Sequence, residues 1–117
     1  MHNRLKFAAM TLAVIVAVTC LAASQEAQDR LNWLSQQLNL TDAQKTKLQP
    51  ILQHEAQQMR AVDNNSSLTQ DQKHAQFRHI HQSYQPKIQA ILTPEQRQKL
   101  AQMKQEYQKR MTEETWP

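Results

Sequence analysis

The pattern Leu-Thr-x-x-Gln occurs three times in this chain, as Leu40-Thr41-Asp42-Ala43-Gln44, Leu68-Thr69-Gln70-Asp71-Gln72 and Leu92-Thr93-Pro94-Glu95-Gln96. Each copy is a helix start, so the three together set the architecture. A threonine at the N-cap accepts a hydrogen bond from a free backbone N–H of the first turn. A glutamine three residues on reaches back to the N–H of the cap. A cap of this kind contributes roughly 1 kcal/mol. Asp42, Asp71 and Glu95 fall in the first turn, where the helix dipole favours negative charge. Pro94 stands at the first helical position, where its missing N–H has no bond to lose. A base follows every copy (Lys45, Lys73, Arg97), in the place where a hydrophobic staple would put an apolar side chain. Leu40, Leu68 and Leu92 must therefore pack against something other than their own helix, and a neighbouring helix is the expected partner.

The rest of the chain agrees. It has no glycine, and its Gln, Lys, Arg and Ala favour helices over sheets. Apolar residues recur at helical spacing. A first helix over about Gln25 to Asn39 carries Leu31, Leu34 and Leu38 on one face, with Trp33 off that stripe. A second starts at the first motif and runs to about Val62, with Leu48, Ile51, Leu52, Glu55, Met59 and Val62 in line. A third starts at the second motif, with Phe77, Ile80, Tyr84, Ile88 and Ile91. A fourth starts at the third motif, with Leu100, Met103, Tyr107 and Met111 on one face. The spacing predicts an all-α fold, a short bundle or curved layer of about four helices. Pro50 and Pro86 fall inside the second and third helices, where each removes a backbone hydrogen bond and predicts a kink. Matched kinks would give a helical layer a concave face; equally, they would let short helices wrap a small core. Asp63 to Ser67 reads as a loop, with Asn64 or Asn65 as the natural left-handed residue. Thr112 to Pro117 is expected to fray. The chain's 20 glutamines interleave with the apolar periodicity, so they read as solvated helix faces and not as a low-complexity tract.

Residues 1–23 read as a secretory signal peptide. Arg4 and Lys6 form a positive start, Phe7 to Val18 is nearly all apolar, and Leu21-Ala22-Ala23-Ser24 offers a cleavage site after Ala23 or Ser24. The apolar run is shorter than the roughly 20 residues a membrane span needs, so an uncleaved anchor is the weaker reading. What is left, residues 24–117, is one small domain with no stable membrane span. It keeps 12 Lys and Arg against 10 Asp and Glu, a net charge of +2 in place of +4. With no basic run and no interleaved aromatic platform, nucleic acid is not an expected partner. The only cysteine, Cys20, lies inside the signal, so the remaining domain has no thiol chemistry. Lipidation at Cys20 is disfavoured by Ala17-Val18-Thr19 before it.

Small, helical, exported and carrying repeated Leu-Thr-x-x-Gln, the chain resembles the Spy/CpxP, or LTxxQ, family of periplasmic proteins. The match is closest at Leu38-Asn39-Leu40-Thr41-Asp42-Ala43-Gln44 and at Ile91-Leu92-Thr93-Pro94-Glu95-Gln96-Arg97. The resemblance implies an all-α fold, often a curved antiparallel dimer, and a periplasmic location. It also implies one of two roles. The first is an ATP-independent chaperone or holdase that binds unfolded envelope proteins. The second is a stress-sensing adaptor, metal-linked in some relatives, that regulates a membrane sensor kinase. A homodimer also suits a domain with so thin a core.

Nothing in the residues suggests an enzyme. There is no glycine-rich phosphate loop and no nucleophile–base pair at a recognisable spacing. No cofactor is implied, with zinc as the one alternative. His74 and His81 are seven apart and share a helix face, with Arg78 between them, and His54 could contribute from the second helix. The competing reading is solvated surface histidines. Met59, Met103 and Met111 are adaptable side chains that suit either core gaps or a promiscuous surface. Lys45, Lys47, Lys73, Arg97 and Lys99 follow the helix starts, either as a solvated face or as a field steering acidic segments.

Overall fold

The computed structural model describes residues 21–114. The reading of residues 1–23 as a signal peptide lies outside the described residues except for 21–23, and those of Cys20 and of the last tail residues 115–117 lie wholly outside them. Four helices make up the fold: α1 (21–38), α2 (Asp42–Asp63), α3 (Gln70–Ile91) and α4 (Pro94–Glu114). There is no strand among the described residues, and none of these helices is long and apolar enough to cross a membrane.

The three motifs start α2, α3 and α4 as their chemistry dictates. Thr41 Oγ1 accepts from the Gln44 N–H at 3.2 Å while Gln44 Oε1 accepts from the Thr41 N–H at 3.0 Å. The same reciprocal pair forms at Thr69 with Gln72 and at Thr93 with Gln96. Two of the following bases also close the preceding helix. Lys73 Nζ donates to the Asp63 carbonyl at 2.7 Å, and Arg97 Nε donates to the Gln89 carbonyl at 2.7 Å. A cation there satisfies a free C-terminal carbonyl and meets the negative end of the dipole. Lys45 instead pairs with Asp42 across 3.7 Å.

α2 and α3 each have 22 residues and pack along one another. At 1.5 Å per residue each is about 33 Å long. A hairpin of two equal helices returns the end of α3 to the start of α2. The first and third motifs therefore meet at one end, and the second sits at the opposite end, at the loop. Both helices continue unbroken through Pro50 and Pro86, whose side chains are exposed.

The core is in two parts. The larger joins Leu31, Leu34 and Leu38 of α1 to Leu48 and Leu52 of α2, Ile88 of α3 and Leu100 of α4, and it takes in the motif leucines Leu40 and Leu92. The smaller, toward the α2–α3 loop, holds Val62, Ile80 and Tyr84, with Leu68 and Phe77 packed against it. Leu40 and Leu92 thus bury themselves between helices, and Leu68 does so in part, as the missing staple requires.

Three local expectations need correction. The left-handed residue is Asn39 (φ 51°), not Asn64 or Asn65; Asn64 is right-handed at φ −80°. Asn39 ends α1 in the place where glycine usually stands, and the Leu40 N–H reaches back to the Ser35 carbonyl at 3.4 Å. In the next loop, Asn65 Oδ1 accepts from the Ser67 N–H at 3.1 Å, so its side chain stabilises the turn without a positive φ. The second correction is at the C-terminus: Thr112 to Glu114 are helical, and the Thr112 hydroxyl donates back to the Gln108 and Lys109 carbonyls. The third is that α1 is already helical at residue 21, ahead of the expected start.

Candidate functional site

Where the first and third motifs meet, their glutamines bind each other. Gln44 Nε2 donates to Gln96 Oε1 at 2.7 Å, and Gln96 Nε2 donates to Gln44 Oε1 at 3.2 Å. Each amide also donates to the last turn of the other pair's leading helix, Gln44 to the Ile91 carbonyl and Gln96 to the Leu38 carbonyl, both at 3.1 Å. An amide has two N–H donors and an oxygen with two lone pairs. Counting the capping bonds, each of these glutamines uses all four. The junction ties the ends of α1 and α3 to the starts of α2 and α4. Gln72, among the described residues, makes only its own capping bonds.

A second polar array crosses between the helices. Glu55 stands in the apolar stripe of α2 and is 2% exposed. Its Oε1 meets Arg30 Nη1 of α1 at 3.0 Å and His81 Nδ1 of α3 at 3.4 Å. Its Oε2 has no hydrogen-bond partner among the described residues, beside a cavity of about 290 Å³ lined by Ala27, Leu52, Ala56 and Met59. The chain continues through Gln85 to Lys104 of α4. Lys104 can only donate, so Gln85 Oε1 accepts from its Nζ at 3.1 Å. Gln85 Nε2 then donates to His81 Nε2 at 2.8 Å, which assigns the proton of a neutral His81 to Nδ1, facing Glu55. Burial holds the Lys104 pKa below the ordinary lysine value of 10.5; the nearby Arg30 charge pushes the same way, and the Glu55 carboxylate opposes both.

Above this array lies a groove of about 700 Å³ between α1, α3 and α4. Leu34, Ile88 and Leu100 form its apolar floor, while Trp33, Met103 and Tyr107 line it from more exposed positions. Arg30, Lys104 and Arg110 bring three cations to the same groove, against the single carboxylate of Glu106. The fourth-helix stripe is thus only half used. Leu100 is buried and Met103 half-buried, but Tyr107 is 61% and Met111 49% exposed. Trp33, off the α1 stripe, is 48% exposed on the same groove.

The histidines are not gathered. His81 is engaged in the polar array, His74 lies edge-on to Phe77 at 6.4 Å between ring centroids, and His54 is exposed on α2. No group of three His, Cys, Asp or Glu side chains stands at metal-holding distance among the described residues. Sequence reasoning placed Glu55 on a core stripe, and a carboxylate in that position is itself a signal of a buried partner. Its partner Arg30, and Gln85 and Lys104 farther along the array, had no such signal, because all three belong to ordinary polar helix faces. Comparisons with protein families, with curated proteins and with solved structures find no match to this chain.

Proposed function

We propose that the protein is an exported, ATP-independent holdase of the Spy/CpxP type, which binds unfolded envelope proteins in the periplasm. The observation that carries this reading is the open groove. A small domain that leaves Trp33 and Tyr107 exposed beside Met103 forgoes core it could use, and exposed apolar surface of this kind is a feature of binding sites. Its lining suits varied clients. A methionine adapts its shape to unlike partners, and Gln37, Gln85 and Gln108 interrupt the apolar surface with neutral polar groups. Such a surface holds unfolded segments weakly and releases them without nucleotide. The triplicate Leu-Thr-x-x-Gln motif supports the same assignment through the resemblance, and in this chain its part is structural: it builds the rigid end from which α1 and α4 diverge to frame the groove. The reading is of a binding protein without catalysis.

Light scattering of a chemically denatured client, with and without equimolar protein and no nucleotide, tests it. Suppressed aggregation of several unrelated clients is the expected result. No suppression, together with capture of one defined membrane kinase, would replace the holdase by the adaptor reading.

A further inference from the structure

We propose that the groove between α1, α3 and α4 is also a binding site for a single-chain amphipathic anion, an alkyl carboxylate of fatty-acid type, with its headgroup on Lys104. The cavity, at about 700 Å³, falls in the range of roughly 300–1,000 Å³ that holds small organic ligands. Leu34, Ile88, Leu100, Met103 and Trp33 offer an apolar wall for one alkyl chain.

The charge on that wall selects the headgroup. Arg30 spends its charge on the buried Glu55 carboxylate. Lys104 has no such partner among the described residues: the acceptor it holds is the neutral oxygen of Gln85. It is also partly desolvated and close enough to Arg30 to be repelled, which is why its proton is held less tightly than an ordinary lysine's. An incoming carboxylate would supply the missing counter-charge, and its charge-assisted hydrogen bond to Nζ would be stronger than the one the neutral Gln85 oxygen makes. A cationic headgroup would meet Arg30, Lys104 and Arg110 together, with only Glu106 in its favour. A neutral chain of equal length would gain the wall and not the pair.

The site lies in the groove proposed to hold clients, but it does not rest on the holdase reading, since an unfolded polypeptide does not need Lys104. The test is calorimetric titration of the chain, purified as cells process it, with laurate, dodecanol and dodecyltrimethylammonium, all below their micelle concentrations. Laurate should bind at least about tenfold more tightly than either analogue, a difference of about 1.4 kcal/mol. Lys104→Gln should weaken laurate about tenfold while leaving dodecanol within about twofold. Laurate affinity should also fall as alkaline pH removes the Lys104 proton, with dodecanol unaffected. Methyl spectra of the methionines should show Met103 shifted by laurate. Equal affinity for all three ligands would mean an unselective apolar surface and overturn the proposal, as would an unchanged laurate affinity in Lys104→Gln or no binding at all. In either case aggregation suppression could still stand.

Discussion

At the residue scale, the informative side chains are two amides that spend every hydrogen bond they have. Glutamate serves a capping box as well as glutamine does, and the helix dipole even favours it. The cap alone therefore does not explain glutamine at positions 44 and 96. The cross-bonds do: each Nε2 donates to a backbone carbonyl and to the opposite amide, and a carboxylate has no N–H to give. Gln44→Glu or Gln96→Glu should cost about 2–4 kcal/mol, by setting a charge against unpaired carbonyl oxygen in a part-buried place. Gln72→Glu, which disturbs no cross-bond, should stay within about 0.5 kcal/mol of the parent. Urea melts of the three variants would decide it; similar losses at all three positions would sink the junction as described.

Lys104 makes a second prediction at this scale. Its folded pKa is lowered, so between that value and the unfolded 10.5 the unfolded chain binds the extra proton. The cost to folding is complete below the folded pKa and is relieved as pH rises through it toward 10.5. Replacing Lys104 with Met should raise the melting temperature slightly at neutral pH, and the gain should vanish in alkaline solution. A loss of stability at neutral pH would show that the Gln85 contact outweighs the desolvation.

At the scale of elements, the motif is a joint as well as a cap, and its spacing follows from helix length. The equal lengths of α2 and α3 bring Gln44 and Gln96 into register. Most of this was legible beforehand. The caps at Thr41, Thr69 and Thr93 are local chemistry, and the stripes Leu31–Leu34–Leu38 and Leu48–Leu52 are simple periodicity. Other features were not local. Asn39 is left-handed because α1 must turn at once to let Leu40 reach the core, and that demand comes from the neighbouring helices. The stripe of α4 could not reveal where its packing ends, since Tyr107 and Met111 have the same spacing as Leu100 and Met103. From residue 104 to 113 every residue of α4 is exposed, so local propensity contributes much of that segment's helicity. Deleting residues 105–117 should lower stability by no more than about 1 kcal/mol, in the range of surface changes, while reducing client protection. Fast amide exchange over 105–114 should accompany this in the intact chain; slow exchange there would mean α4 is held along its whole length.

At the scale of the molecule, the described residues do not gather round a single core. A chain with few large apolar residues divides its core in two and ties the halves with one hairpin, a glutamine junction and the Arg30–Glu55–His81–Gln85–Lys104 array. The groove is a consequence: α1 and α4 are joined firmly at Gln96 and Leu38 and leave Trp33 and Tyr107 uncovered farther along. The central claim is that this uncovered surface holds clients. Trp33→Ser with Tyr107→Ser tests it most directly, because both side chains are about half-exposed or more, so little packing is lost. Aggregation suppression by this double variant should be compared with that of the parent at equal concentration, with melting temperatures recorded in parallel. The account predicts that suppression falls severalfold while the melting temperature barely moves; full protection by a folded double variant would contradict it.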